Sequence, residues 1–125
     1  MSDVPVVRDF DRELPVPTIW RAALADLANS LALSAPEIKA VTMRLKPVLP
    51  DDMRRISTNI QDYGCSLVPL PEASWETSVC RWLGGHWEVL VDLFTDAEGR
   101  SDLVMHVTVA EQDGFLVSLH DVYVP

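Results

Sequence analysis

The strongest constraint on this chain is a change of period in its last third. His86 to Thr95, Ser101 to Ala110 and Phe115 to Val124 each alternate apolar and polar residues. Such alternation marks half-buried strands, because successive side chains point to opposite faces of a sheet. Glycines stand between the segments: Gly84-Gly85, Gly99 and Gly114. Each suits a tight hairpin turn.

The turns set a register. In "EQDGF" a three-residue loop with Gly114 left-handed pairs Glu111 with Phe115, Val109 with Val117 and Val107 with Leu119. "TDAEGRS" makes a longer loop closed by Gly99, with Leu93 facing Leu103, Val91 facing Met105 and Val89 facing Val107. Gly84-Gly85 sets Trp82 opposite Trp87 and Arg81 opposite Glu88. A fourth strand therefore falls within Trp75 to Leu83. One face is apolar, from Cys80, Trp82 and Trp87 through Val89, Val91, Leu93, Leu103, Met105, Val107 and Val109 to Val117, Leu119 and Tyr123.

Upstream the spacing is helical. Pro17 suits a first turn, and Ile19, Ala23, Leu24, Leu27, Ala28 and Leu31 recur at helical intervals to about Leu33. A second helix is expected over Asp52 to Tyr63. Asp51 and Asp52 supply its cap, Met53, Ile56, Ile60 and Tyr63 its stripe, and Gly64 its left-handed end. "KAVTMRL" puts Val41, Met43 and Leu45 on one side of a short edge strand. "CSLVPLPEASW" reads as a short strand broken by Pro69 and Pro71. The expected fold is α+β. Two N-terminal helices pack on one face of a four-stranded antiparallel meander, with room for a fifth strand. Residues 1–16 form an extended or mobile lead-in and 17–125 a single domain.

Composition narrows the partners. The 125 residues carry 19 acidic and 10 basic side chains, for a formal net charge of -9. That sign disfavours phosphate backbones and anionic membranes, so no nucleic acid and no membrane are expected. No apolar run is long enough to span a bilayer, and the polar start "MSDVPVVRDFDREL" lacks signal-peptide character. The expected compartment is the cytoplasm. Cys65 and Cys80 are then thiols, outside any CxxC pair.

The mixed face carries the candidate site. Its rows read Arg81, Glu88, Thr108, Ser118; then Val79, Leu90, His106, His120; then Thr77, Asp92, Val104, Val122. Phe94, Asp102 and Trp75 extend it. His106 and His120 are expected to be directly opposed. With Glu88 and Asp92 they name metal-ligand and acid–base residue types. A flat cross-strand pair converges poorly, however, and Arg81 offers Glu88 an ion pair that needs no function. Neither a metal site nor catalytic residues are assigned, and no cofactor motif is present. "WLGGHW" precedes no helix that could cradle phosphate. "DAEGRSD" lacks the frame of a calcium loop. Ser101 and Asp102 point to opposite faces and cannot share a triad. Large apolar groups among charges instead suggest an interface formed by Arg81, Glu88, Asp92, Phe94, His106 and His120.

"DYGCSLVPLPEASWETSVCRWLGGHWEVLVDLFTDAEGRSDLVMHVTV", with the closing "DVYVP", resembles a family of small bacterial proteins known only as a domain of unknown function. "GGHWEVLVDLFTDAEGRSDL" is its most specific part, with Phe94 where the family pattern leads one to expect tryptophan. The likeness runs from about Pro17 to the C-terminus. It implies a bacterial stand-alone domain, names no site residues and implies nothing catalytic. The order of helices and curved sheet is also similar to the nuclear-transport-factor-2-like cone, whose concave face lines a pocket. This chain is one helix short of that fold.

The expected function is a non-enzymatic protein-interaction module, with a protein partner or self-association. An inhibitor- or immunity-like role against a basic partner fits the charge. The alternative is a small-molecule-binding domain or small enzyme with a pocket on the mixed face.

Overall fold

The computed structural model describes residues 3–33 and 43–125. In chain order the elements are β1 (Leu14–Pro15), α1 (Thr18–Ala32), β2 (Arg44–Leu45), α2 (Pro50–Tyr63), a 3-10 turn η1 (Glu72–Glu76), β3 (Val79–Trp82), β4 (Trp87–Thr95), β5 (Gly99–Glu111) and β6 (Phe115–Tyr123). The strands form one sheet in the order β1-β3-β4-β5-β6-β2. Pairing is antiparallel throughout except between β2 and β6, which run parallel. The four-stranded meander from β3 to β6 is therefore its centre, and two short strands raise the count to six.

The turns set most of the expected register. Trp82 pairs with Trp87, Arg81 with Glu88, Val91 with Met105, Val89 with Val107, Val107 with Leu119, and Glu111 with Phe115. Gly114 has φ 94° and Gly84 has φ 101°, conformations that a side chain strains. A Cβ at Gly84 would lie 3.3 Å from the Phe10 ring, so that turn needs glycine for space as well.

Two bulges depart from the expected register. Between Asp92–Val104 and Phe94–Arg100, three residues of β5 face the single residue Leu93. Ser101 fastens this bulge, donating to the Leu93 carbonyl at 2.7 Å and accepting from the Leu103 amide at 3.1 Å. Between His106–Asp121 and Val107–Leu119, β6 carries one extra residue, His120. A bulge of one residue inverts every later side chain. Val122, expected on the mixed face, is thus fully buried in the core, and Tyr123, expected in the core, faces the other way opposite Val104.

The helices also differ from expectation. α1 is the main cover of the apolar face, burying Trp20, Ala23, Leu24, Leu27, Ala28 and Leu31, while Ile19, expected in that stripe, is exposed. Trp20 meets Trp87 and Phe115 edge-on, with ring centroids 5.2 and 5.3 Å apart. α2 buries only Ile56 completely, and it lies against β6. Its N-cap is Leu49, with Pro50 in the first turn; Asp51 and Asp52 lie inside that turn, where negative charge suits the helix dipole, and do not cap it. Gly64 ends it left-handed as expected. The strand expected in "CSLVPLPEASW" reduces to a bridge between Leu67 and Thr95, followed by η1. In the edge strand, Arg44 and Leu45 pair with Leu116 and Val117; Val41 lies outside the described residues.

The lead-in joins the sheet. Val4 exchanges bonds with Thr18: its amide donates to Thr18 Oγ1 at 2.6 Å, and its carbonyl accepts from the Thr18 amide at 3.0 Å. Trp87 Nε1 donates to the Val7 carbonyl at 2.9 Å. Arg8 lies over both Trp82 and Trp87 and pairs with Glu111. Leu14 and Pro15 then pair with Cys80 and Val79, and Val16 is fully buried.

Candidate functional site

Alternation along β3–β6 sends Glu88, Leu90, Asp92, Phe94, Val104, His106, Thr108 and Ser118 to the face opposite α1. Apart from Val104, which is buried, these residues are partly exposed. The apolar partners of α1 on the other face form one continuous core. Trp75, expected on the mixed face, belongs to that core, where the Arg21 guanidinium sits 5.6 Å from its ring. η1 places it there, because a 3-10 turn does not keep the strand parity from which its side was inferred.

Of the six candidate residues, three come together. His106 Nε2 lies 3.4 Å from Glu88 Oε2, in a contact whose geometry is not that of a hydrogen bond. His106 and His120 have ring centroids 5.3 Å apart, although His120 is the extra residue of the bulge and not the direct cross-strand partner. His120 Nε2 and Thr108 Oγ1 are 2.8 Å apart. Tyr123, turned to this side by the bulge, stands edge-on to His106 with ring centroids 6.3 Å apart.

The other three are spread out. Arg81 stands opposite Glu88 as expected, but its guanidinium lies 3.7 Å from Glu13, so the expected cross-strand ion pair is replaced by one with the lead-in. Asp92 lies toward the other end of the face, where its carboxylate accepts from Thr77. Its backbone is held by two buried serines: Ser74 donates to its carbonyl at 2.7 Å, and Ser78 accepts from its amide at 2.9 Å. Phe94 pairs with Arg100, half-buried near the Gly99 turn.

Thr108, Asp121 and Tyr123 complete the histidine cluster, and sequence reasoning does not single them out. The available signal is the adjacent polar pair His120-Asp121, which breaks the alternation of "FLVSLHDVY". A strict period of two cannot accommodate two successive outward residues without a bulge.

The electrostatics of the cluster are mild. Burial holds the His120 ring below the ordinary histidine value of 6.5; His106, His86 and Lys46 push the same way, and Asp52 opposes them. Among the described residues, no group of three or more His, Cys, Asp or Glu side chains is placed to hold a metal ion. A cleft of about 600 Å³ lies elsewhere, between the C-terminal ends of α1 and α2, and includes Ser30, Ile60, Cys65 and Leu67 but none of the six candidates.

The two thiols are unpaired. Cys80 is buried, and that burial pushes its thiol up to about 12. The thiolate is the reactive form. Iodoacetamide at mildly alkaline pH should therefore label half-buried Cys65 in the native protein and reach Cys80 only after unfolding. Peptide mass mapping checks this, and equal labelling of both would contradict it.

The molecule is thus a small α+β domain with an open, mainly antiparallel sheet, covered by α1 on one side. It belongs to the family described as a domain of unknown function, DUF7668, whose model matches residues 28–125. Searches of curated proteins and of solved structures found no match. No helix among the described residues is long and apolar enough to cross a membrane.

Proposed function

We propose that this chain is a non-enzymatic protein-interaction module, bacterial and cytoplasmic, that binds through the face carrying Leu90, Phe94, Glu88 and His106. The supporting observation is the state of the sheet. None of the described helices packs on this face, and partly exposed Val79, Leu90, Phe94 and Tyr123 lie there among charged groups. An apolar centre with a charged surround is how recognition surfaces are built. The edges, in contrast, leave little room for strand addition. β1 and β2 are two residues each, and the far end of β4 is closed by bonds to residues 66–68.

A net charge of -9 favours a partner with a basic surface and works against close self-association. An inhibitor- or immunity-type role against a basic protein fits that sign.

A photo-reactive amino acid at Leu90, compared with one at Ile19 on the exposed side of α1, tests the face. Leu90 should give a discrete adduct with a partner or a second copy, weakened by added salt, while Ile19 gives none. Equal labelling from both positions, together with a monomer by light scattering, would remove the proposal.

A further inference from the structure

α2 packs Met53, Ile56, Ile60 and Tyr63 against the core, and two of its polar residues, Arg55 and Asn59, reach the bulge of β6. Arg55 donates to the His120 carbonyl at 2.7 Å and reaches Asp121 Oδ1 at 3.4 Å. Asn59 donates to the Val122 carbonyl at 2.9 Å and lies 3.4 Å from the same Asp121 oxygen. The bulge exists because His120 is the extra residue between two regular pairings, and its side chain is fixed by Thr108 and by the neighbouring His106 ring. We infer that His120 is an acid-sensitive latch: protonation of the His106–His120 pair loosens the β6 bulge and releases α2 from the sheet.

The charges around His120 support this direction. Protonated together, the two rings would hold like charges 5.3 Å apart. Lys46, which follows β2, adds a third positive group, while Arg55 at the His120 carbonyl is paired with Asp52 and Asp121. More distant His86 acts in the same sense. Two of the nearby carboxylates, Asp121 and Asp52, are already engaged. Asp121 Oδ1 accepts from its own neighbour, the Val122 amide, and Arg55 and Asn59 reach it as well. Asp52 is paired with Arg55 at 2.8 Å. Glu88 lies beside His106, and Tyr123 presents a ring edge to it. The Thr108 oxygen can still accept a bond from a protonated ring, so repulsion drives the release and not the loss of that bond.

The sign follows from burial and like charge. A histidine held below its ordinary value binds its proton less readily when folded. Its contribution to docking is full above the ordinary value of 6.5 and falls away as pH drops through the lower folded value.

Hydrogen exchange of α2 amides against β4 amides, corrected for intrinsic rates, tests the latch at about pH 7.5 and about pH 5. In the wild type, α2 should lose more protection than β4 on acidification. In His120→Gln, which can still bond Thr108 but cannot be charged, this differential loss should disappear. In His106→Gln it should shrink. Parallel loss in both elements of the wild type would overturn the inference, and so would an undiminished differential loss in His120→Gln. If that variant does not fold, His106→Gln decides alone: an unchanged differential loss there rejects the latch.

Discussion

Trp87→Ala should lower the unfolding free energy by about 3–5 kcal/mol, the range for emptying an aromatic site in a packed core. Trp87 is 1% exposed and stands where three parts of the chain meet. It touches Trp20 from α1, Trp82 across the Gly84-Gly85 turn at 4.6 Å, and Phe115 from β6 at 6.1 Å. Its indole N–H also ties down the lead-in through the Val7 carbonyl. Removal leaves a cavity and frees that segment. Trp20 provides an internal comparison, because its Nε1 is buried without a hydrogen-bond partner. Trp20→Phe should therefore be milder than Trp87→Phe, which gives up a made bond. Urea titrations of the three variants read this directly. A Trp87→Ala midpoint close to that of the wild type would refute the account of the core.

Ile56→Ala should cost about 2–5 kcal/mol, through a different sequence of events. Ile56 is the one residue of α2 with no exposed surface. A 14-residue helix is marginal once undocked, so its loss should melt the helix locally. The tryptophans lie at residues 20, 75, 82 and 87, all outside α2. In rising urea, helical circular dichroism should therefore fall before tryptophan emission shifts. Coincident transitions at the wild-type midpoint would show that α2 is not a separable unit.

Much of this architecture is legible in the sequence because glycine turns and strict alternation are local signals. The pairings Trp82–Trp87, Val89–Val107 and Glu111–Phe115 follow from chain positions a few residues apart or from simple counting between turns. The bulges escape such counting because it assumes a constant register. Both occur at consecutive polar residues, Ser101-Asp102, of which Ser101 is buried, and His120-Asp121. The candidate site shares that fate. Glu88 and His106 sit before the β6 bulge and lie on the expected side, whereas Val122 and Tyr123 sit after it and exchange sides. Trp75 departs from expectation for a tertiary reason: a 3-10 turn carries it into the core, and no local period announces that. The two-residue strands have no periodicity to read at all. Their pairing depends on partners 66 and 72 positions away, Leu14 with Cys80 and Arg44 with Leu116.

Those long separations also govern the order in which the molecule can assemble. The lead-in bonds Trp87, 80 residues downstream of Val7, and pairs Arg8 with Glu111, 103 residues away. During synthesis from the N-terminus, α1 emerges long before the strands that bury its tryptophan exist. Its apolar stripe must wait, exposed, until the central hairpins close. Contacts of this reach slow folding, because a large loop must be ordered before they form. The lead-in residues are thus among the last to find their places, and the nascent chain carries an uncovered Trp20 and Leu24 until β4 and β5 are made.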